Sequence, residues 1–440
     1  MTSIQQSLDL TGLESPEEGE TFTVDGDSIH RRIVVDGTTV VDAVVDFEPH
    51  DDPKGAWWQA YLRGAKPIPC IDRARTLRTV DLLSGAGGLA QGFQQFATEG
   101  GYSVVPELIV DQDRESLDVY TANHHARRHI SESVSTLVDF IVRSQGRTAE
   151  LVYEPELLDP QLTELTGSVD VVLAGPPCQG HSNLNNHTRR EDRRNALYLT
   201  VPAITIALDA PVAIIENVPA VLHDSLEVVA GATAMFEAAG YSVTSGVLSA
   251  SAMGWPQHRK RHFLVARKGA APLPLADVAQ LLAEKEPRSA WWAIGDLEDT
   301  VSDEIMDQHT ELSSENRVRV DWLFDNDAYD LALPQRPDSH KEGTTYTSVY
   351  GRMRKDEPAP TITTGFMSPG RGRYVHPTRR RVLTPREAAR FQGFPDSYIF
   401  SPKSLEPPSR AKLAKWIGDA VPMPLGYAAA LSAYAQPSLP

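Results

Sequence analysis

From Leu77 onward the chain repeats one pattern: a short apolar run, a longer amphipathic stretch, then another apolar run. Strands separated by helices cannot pair as hairpins. Each must cross over to a parallel neighbour, so the pattern demands an α/β sheet covered by helices. The predicted strands are Leu77 to Ser84, Val104 to Asp111, Val169 to Ala174, Val212 to Glu216, Tyr241 to Leu248 and His262 to Ala266. Between them run helical stretches at Leu89 to Thr98, Arg114 to Asn123, Ala196 to Leu208 and Ser225 to Ala239. The pattern describes a doubly wound domain of six or seven strands. After Lys268 the regularity fails, and Pro, Gly, Asp and Ser become frequent through Pro377, which predicts a smaller irregular lobe. From Arg381 the chain reads as helical again and is expected to return to the first domain. Ahead of the sheet, residues 21–47 alternate apolar and polar positions around Asp25-Gly26 and Asp36-Gly37, the signature of hairpins. Trp57, Trp58 and Tyr61 are expected to pack rather than to stack on a ligand. The expected division is residues 1–75 as an acidic extension with a small β element, 76–270 as the main domain, 271–377 as the irregular lobe and 378–440 as the helical return.

A chain of 440 residues exceeds one ordinary core, in keeping with that division. The net charge of -17 argues against nucleic-acid binding, since phosphate contacts need Lys and Arg. Its distribution weakens the objection. The first 75 residues hold fourteen acids against seven bases, while bases cluster at Arg189, Arg190, Arg193 and Arg194, at Arg259 to Arg261, and from Arg352 to Arg381. Only Cys70 and Cys178 are present, which excludes a disulfide framework and a multi-cysteine zinc site. No apolar run approaches the ~20 residues that cross a bilayer, and Met1 to Glu20 does not read as a secretory signal, so an intracellular setting is expected.

The segments that carry chemistry stand at predicted strand ends. Asp81-Leu82-Leu83-Ser84-Gly85-Ala86-Gly87-Gly88 lies where the first strand passes into a helix. Its glycines let the backbone approach a ligand, and the helix start offers unpaired N–H groups. Alone, it equally suits an empty tight turn or a dinucleotide site. The next strand ends at Asp111, placed to grip ribose hydroxyls, and Asp113 is expected to cap the following helix. Ala174-Gly175-Pro176-Pro177-Cys178-Gln179-Gly180-His181-Ser182 closes another strand. Two prolines fix that loop at the edge where open α/β sheets bind ligands, which marks Cys178 as a nucleophile rather than an inert hydrophobe. Arg259 or Arg261 is expected to favour its thiolate. Glu216-Asn217-Val218 closes the neighbouring strand, so a carboxylate and a thiol can face one small ring. In Gln257-His258-Arg259-Lys260-Arg261, alternation puts Gln257, Arg259 and Arg261 on one face, with guanidinium forks suited to phosphate or a carbonyl oxygen. His258 and His262 point away and read as structural, not as metal ligands.

Taken in order, the Gly-rich turn, Pro177-Cys178-Gln179, Glu216-Asn217-Val218, the Gln-x-Arg-x-Arg strand, the run from Arg381-Val382-Leu383-Thr384-Pro385-Arg386-Glu387 to Phe394-Pro395, and Gly418-Asp419-Ala420-Val421-Pro422 resemble the motif series of the DNA (cytosine-5) methyltransferase family over about residues 77–430. Leu83 and His181 stand where that family commonly has Phe, and Asp419 where Asn is frequent. The resemblance implies a doubly wound, Rossmann-like S-adenosylmethionine-dependent methyltransferase domain, with the irregular lobe as its target recognition domain. Pro360-Thr361-Ile362-Thr363-Thr364 is similar to a segment found in such lobes. The implied reaction moves a methyl group from S-adenosyl-L-methionine, leaving S-adenosyl-L-homocysteine, to C5 of a flipped cytosine in double-stranded DNA, with no metal. It assigns catalysis to Cys178, Glu216, Arg259 and Arg261, the cofactor to Asp81, Gly85, Gly87, Gly88, Asp111, Asp159, Pro176 and Asp419, and DNA to Gln179, Ser182, Arg189, Arg190, Gln257, Arg352, Arg354, Arg371 and Arg373. The expected setting is a cytoplasmic monomer at the nucleoid, partnered by a cognate restriction or phage-defence system.

Three other readings compete. An RNA (tRNA) cytosine-5 methyltransferase would share the cofactor site, but the recognition lobe argues for DNA. A nicotinamide oxidoreductase accounts for the Gly-rich turn alone. A non-catalytic DNA-binding protein would have no use for Cys178, Glu216 and Arg261.

Overall fold

The computed structural model describes residues 18–47, 51–177, 197–338, 341, 349–403 and 405–435. The N-terminal alternation forms a meander of β1 (Gly19–Asp25), β2 (Ser28–Val35) and β3 (Thr38–Asp46), with β4 (Ile68–Pro69) on its edge after α1 (Pro53–Leu62). Asp36 and Gly37 link β2 to β3 at φ of 49° and 70°, as a tight primed turn requires.

The main sheet is β5 (Arg75–Leu82), β6 (Tyr102–Val110), β7 (His129–Ile130), β8 (Val171–Ala174), β9 (Val212–Asn217), β10 (Ser242–Ser249) and β11 (Lys260–Arg267). Their spatial order is β10-β11-β9-β8-β5-β6-β7. The five strands from β9 to β7 run parallel, and β11 is antiparallel to both its neighbours. Chain order runs outward in one direction from β5 to β7 and then jumps back to β8. The switch point therefore falls between β5 and β8, where open sheets of this kind leave a crevice at their carboxyl ends.

Two helical layers cover the sheet. On one face lie α2 (Gly88–Glu99) and α9 (Met423–Tyr434), and on the other α4 (Leu197–Ala207) and α5 (Val228–Ala238). The strands are apolar on both sides for this reason. In β8, Val171 and Leu173 join the first core while Val172 and Ala174 join the second. The helical return to the sheet is intimate: a Cβ at Gly92 would stand 2.5 Å from the Met423 carbonyl oxygen, so α2 and α9 touch through backbone. Beside the sheet, α3 (Arg114–His124) follows β6.

The N-terminal meander shares the first core rather than forming one of its own. Trp58 packs edge-on against Trp255 and Tyr427 at 6.0 Å, and the Tyr61 hydroxyl donates to the Gly393 carbonyl at 2.8 Å. Arg31 is 1 % exposed and ion-paired to Glu20 at 2.6 Å and Glu99 at 2.5 Å. Burial pushes the Glu20 carboxyl up, but Arg31 and Lys54 overcome it and hold the group below its ordinary range. A buried charge left without these partners would cost several kcal/mol, so the network pins the meander to one seat.

Between the sheet and the helical return, the described residues hold α6 (Ser314–Asp325) and short helices but only isolated bridges in place of a sheet. Their apolar side chains, among them Met353, Ile362 and Phe366, share a core with α7 (Pro385–Gln392) and α8 (Arg410–Asp419).

Candidate active site at the switch point

The turn after β5 is built on positive φ angles: Leu83 at 57°, Gly85 at 51° and Gly87 at 87°, the last serving as the N-cap of α2. Gly87 admits no side chain, because a Cβ would lie 2.7 Å from the Tyr398 hydroxyl and 2.9 Å from His124 Nε2. Gly85 faces open space. Its N–H donates to Asp111 Oδ2 at 2.9 Å, and the Asp113 N–H donates to Oδ1 at 2.8 Å, so Asp111 ties the ends of β5 and β6 together. Asp113 caps α3 as expected. Asp81 lies behind the turn at 1 % exposure. Burial raises its carboxyl well above the ordinary range, against a hydrogen bond from Tyr120 and with the Asp111 charge adding to the rise. It lies inside the protein, not at the crevice wall.

The turn fits a nucleoside cofactor. Ser84 Oγ is buried without a hydrogen-bond partner, the Gly85 surface is free, and the start of α2 presents N–H groups beside a carboxylate able to take ribose hydroxyls. Across the crevice Asp419 pairs with Lys415 at 2.7 Å. Partial burial works against the Lys415 charge, yet Asp419, with Asp111 and Asp113 behind it, keeps the ammonium above its ordinary value. Lys415 was not anticipated, although its place one helical turn before Asp419 was readable.

Glu216 ends β9 beside the run that leads to Cys178. A Cβ at Gly175 would stand 3.9 Å from Glu216 Oε2, and the Asn217 side chain donates to the Pro176 carbonyl at 3.4 Å. Arg261 Nε meets Glu216 Oε1 at 2.7 Å. Burial raises the Glu216 carboxyl; Arg261 and then Arg259 oppose this without cancelling it. Its carboxyl therefore takes a proton more readily than an ordinary carboxylate does, which suits it to hold one and hand it over. Tyr198 of α4 is buried close by, its hydroxyl without a hydrogen-bond partner and its acidity suppressed first by burial and then by the Glu216 charge. Cys178, Gln179, Ser182, Arg189 and Arg190 lie outside the described residues.

Several expected roles are corrected by burial. Gln257 is 0 % exposed; its amide donates to the Phe391 carbonyl at 2.8 Å and accepts from the Ile362 N–H at 2.9 Å, which leaves nothing to offer DNA. Arg259 is 2 % exposed and bonds the carbonyls of Ile362, Gly418 (3.0 Å) and Ala420 (3.0 Å), so it braces the lobe and the helical return while its charge acts on Glu216 from within the protein. Asp159 caps a short helix, accepting from the Gln161 N–H at 2.8 Å. The place beside Asp111 on the sheet's carboxyl edge falls instead to the residues after β7, where the Asp111 N–H bonds the Ile130 carbonyl and Ser131 follows. Arg352 stacks on Phe324 at 4.2 Å and bonds the Pro377 carbonyl, and Arg373 bonds the Tyr329 carbonyl and Asp330. Arg354 lies over Tyr329 at 4.2 Å with its guanidinium partly exposed. Of these four arginines, Arg371 is the exposed one whose side chain makes no hydrogen bond or ion pair among the described residues.

His258 is exposed and His262 fully buried, and neither belongs to a group of three metal-ligand side chains among the described residues. Among the described residues one cluster has metal-ligand chemistry, His30, Asp42 and Cys70 on the N-terminal sheet. Its carboxylate is already hydrogen-bonded to His30 and ion-paired with Arg32. No helix among the described residues is long and apolar enough to cross a membrane.

Known proteins share this architecture. The S. pombe Dnmt2 methyltransferase superposes with a TM-score of 0.54 at 16% identity, covering 81% of this chain and 98% of that one. The Entamoeba histolytica methyltransferase EhMeth does so at 0.51 and 16% identity, covering 82% and 98%. These establish the fold. In sequence, the type II methyltransferase M1.BsuMI of Bacillus subtilis (strain 168) is 33% identical over 423 residues, 94% of this chain and 95% of the relative. The type II methyltransferase M.AgeI of Thalassovita gelatinovora is 27% identical over 80% of this chain and 98% of its own. The profile of the C-5 cytosine-specific DNA methylase family matches residues 77–434, and the chain belongs to that family.

Proposed function

We propose that this DNA (cytosine-5) methyltransferase methylates a cytosine flipped out of duplex DNA through a covalent adduct with Cys178. The observation that carries the reading is the Glu216–Arg261 pair at the carboxyl end of β9, next to the switch-point strand β8 and beside Gly175-Pro176-Pro177, which leads directly to the thiol. S-adenosyl-L-methionine, which the family uses, supplies an electrophilic methyl group when bound. Ser84, Gly85, Asp111 and the start of α2 would hold it, with Ser131 beside Asp111 and the Lys415–Asp419 pair opposite.

The chemistry needs an electron-rich C5. Cys178 Sγ forms a bond to C6, and the ring electrons move toward N3 and O2. Glu216 meets this charge by placing a proton at N3 and accepting from the exocyclic amine, while Arg261 orients Glu216 and offers donors toward O2. After C5 takes the methyl group, a base removes its proton, the C6–S bond breaks, the thiolate leaves, and N3 returns its proton to Glu216. A base inside a helix cannot reach a crevice of this depth, so the target must leave the stack. Residues 271–377 act as the recognition lobe in this reading, with Arg371 toward DNA. Restriction–modification or phage defence is the setting that fits the type II names of the relatives.

The test is transfer of tritiated methyl from S-adenosylmethionine to mixed genomic DNA, with bisulfite mapping, for the wild type and Cys178→Ala. Methylation in one sequence context, absent in the variant, is expected. Transfer to RNA and not to DNA would replace this reading with the RNA one.

A further inference from the structure

Behind the Gly-rich turn sits a set of buried polar side chains that the proposed chemistry does not use. Tyr398 and His124 are 7 % and 6 % exposed. The Tyr398 hydroxyl donates to the Ala86 carbonyl in a short hydrogen bond and meets His124 Nε2 at 3.3 Å. The His124 ring packs on Tyr120 at 4.8 Å, and Tyr120 in turn faces Asp81. Tyr398 is itself fixed. Asn123 grips the backbone of Ile399 from both sides, donating to its carbonyl at 2.9 Å and accepting from its N–H at 2.8 Å, and Phe394 and Phe400 pack on the phenol ring at 4.5 and 5.0 Å.

The consequence lies in the geometry of one peptide. A peptide unit is planar, so holding the Ala86 carbonyl against Tyr398 sets the opposite direction for the Gly87 N–H. That N–H donates to the Ser84 carbonyl at 3.1 Å and closes the turn. Gly87 puts no side chain in the way of this peptide's rotation, and the Tyr398 hydroxyl supplies a restraint. We infer that Tyr398, backed by His124, is a positioning residue for the cofactor turn, through which the helical return sets affinity for the adenosyl cofactor without touching it. This rests on the reading of the turn as the cofactor site. Burial lowers the His124 pKa to about 4 despite the pull of the Gly87 backbone, so the imidazole stays neutral and the arrangement is constant across the working pH range.

Calorimetric titration of the purified full chain with S-adenosylhomocysteine tests it. Tyr398→Phe keeps the ring packing and removes only the hydroxyl. Loss of one buried hydrogen bond predicts binding weakened about tenfold, with KM for S-adenosylmethionine rising alike, while kcat at saturating cofactor and KM for DNA stay within about twofold of wild type. A merely structural role would lower the melting temperature and the active fraction and leave the cofactor KM unmoved. His124→Gln should shift the same constant in the same direction, and decides the matter if Tyr398→Phe fails to fold. Wild-type affinity in a folded variant overturns the inference. No binding by the wild type overturns the cofactor reading itself, and this inference with it.

Discussion

Replacing Arg259 by Met tests whether a buried arginine near the active site serves chemistry or architecture. The substitution keeps the stem and removes a guanidinium that bonds three carbonyls, those of Ile362, Gly418 and Ala420. A hydrogen bond to a charged group contributes about 1.5–3 kcal/mol, and a buried acceptor left bare forfeits its solvation as well. The Gln392 amide lies 3.2 Å from the Ala420 oxygen and 3.5 Å from that of Gly418, so two of the three carbonyls keep a partial donor. The expected loss is therefore about 3–5 kcal/mol rather than the full sum. Urea unfolding should show the midpoint falling by a corresponding amount. Hydrogen exchange should quicken in peptides covering 359–366 and 417–421 while the β5 and β9 strands stay protected. The reasoning fails if Arg259→Met unfolds at the wild-type midpoint with unchanged exchange and loses only methyl transfer, because the guanidinium would then be acting on substrate.

Glu216→Gln should lower single-turnover transfer by about 100-fold or more while cofactor binding is retained, since the amide fills the same space but cannot deliver a proton; filter binding and rapid quench would separate the two. Arg371→Ala should weaken DNA binding and reduce the slope of log affinity against log salt by about one, with melting unchanged. Stability should fall in acid. His124, His262 and His376 are each held by burial at a pKa of about 4, below the ordinary value of 6.5, so the unfolded chain takes up their protons first as pH drops. Their stabilisation is complete above about pH 6.5 and drains toward pH 4 at up to about 1.4 kcal/mol per pH unit for each, which thermal melts across that window would register. A flat stability profile from pH 7 to 4.5 would refute the assignment.

The sheet was readable because its strands are buried on two faces and its helices on one, a contrast that hydropathy records directly. Every predicted strand was found, with ends shifted by up to two residues; the two-residue β7 is too short to leave a pattern. The Gly-rich turn and Glu216 were readable because strand ends at a switch point are special places in such a sheet. Depth was not readable. Alternation put Gln257, Arg259 and Arg261 on one face, but β11 begins at Lys260, and the segment before it runs under residues 359–362 of the irregular lobe, a contact that no local pattern announces. A buried arginine and a DNA-facing arginine look alike in one dimension. Asp159 was different: Asp followed by Pro is a helix-start signal, and the capping reading was available from the sequence itself.

The embrace of Arg31 by both halves of the fold bears on how the enzyme is made. Its guanidinium pairs with Glu20 beside it in the meander and Glu99 in α2, and lies 4.8 Å from the ring of Tyr427, whose hydroxyl donates to Glu99 at 2.7 Å. More than four hundred residues separate the first of these partners, Glu20, from the last, Tyr427. On the ribosome, the first core stays open until α9 has emerged, and its apolar faces wait unsealed through most of synthesis. Contacts spanning such a distance along the chain form slowly and late. Completion is thereby made a condition of assembly: a chain truncated before α9 lacks the last wall of its first core.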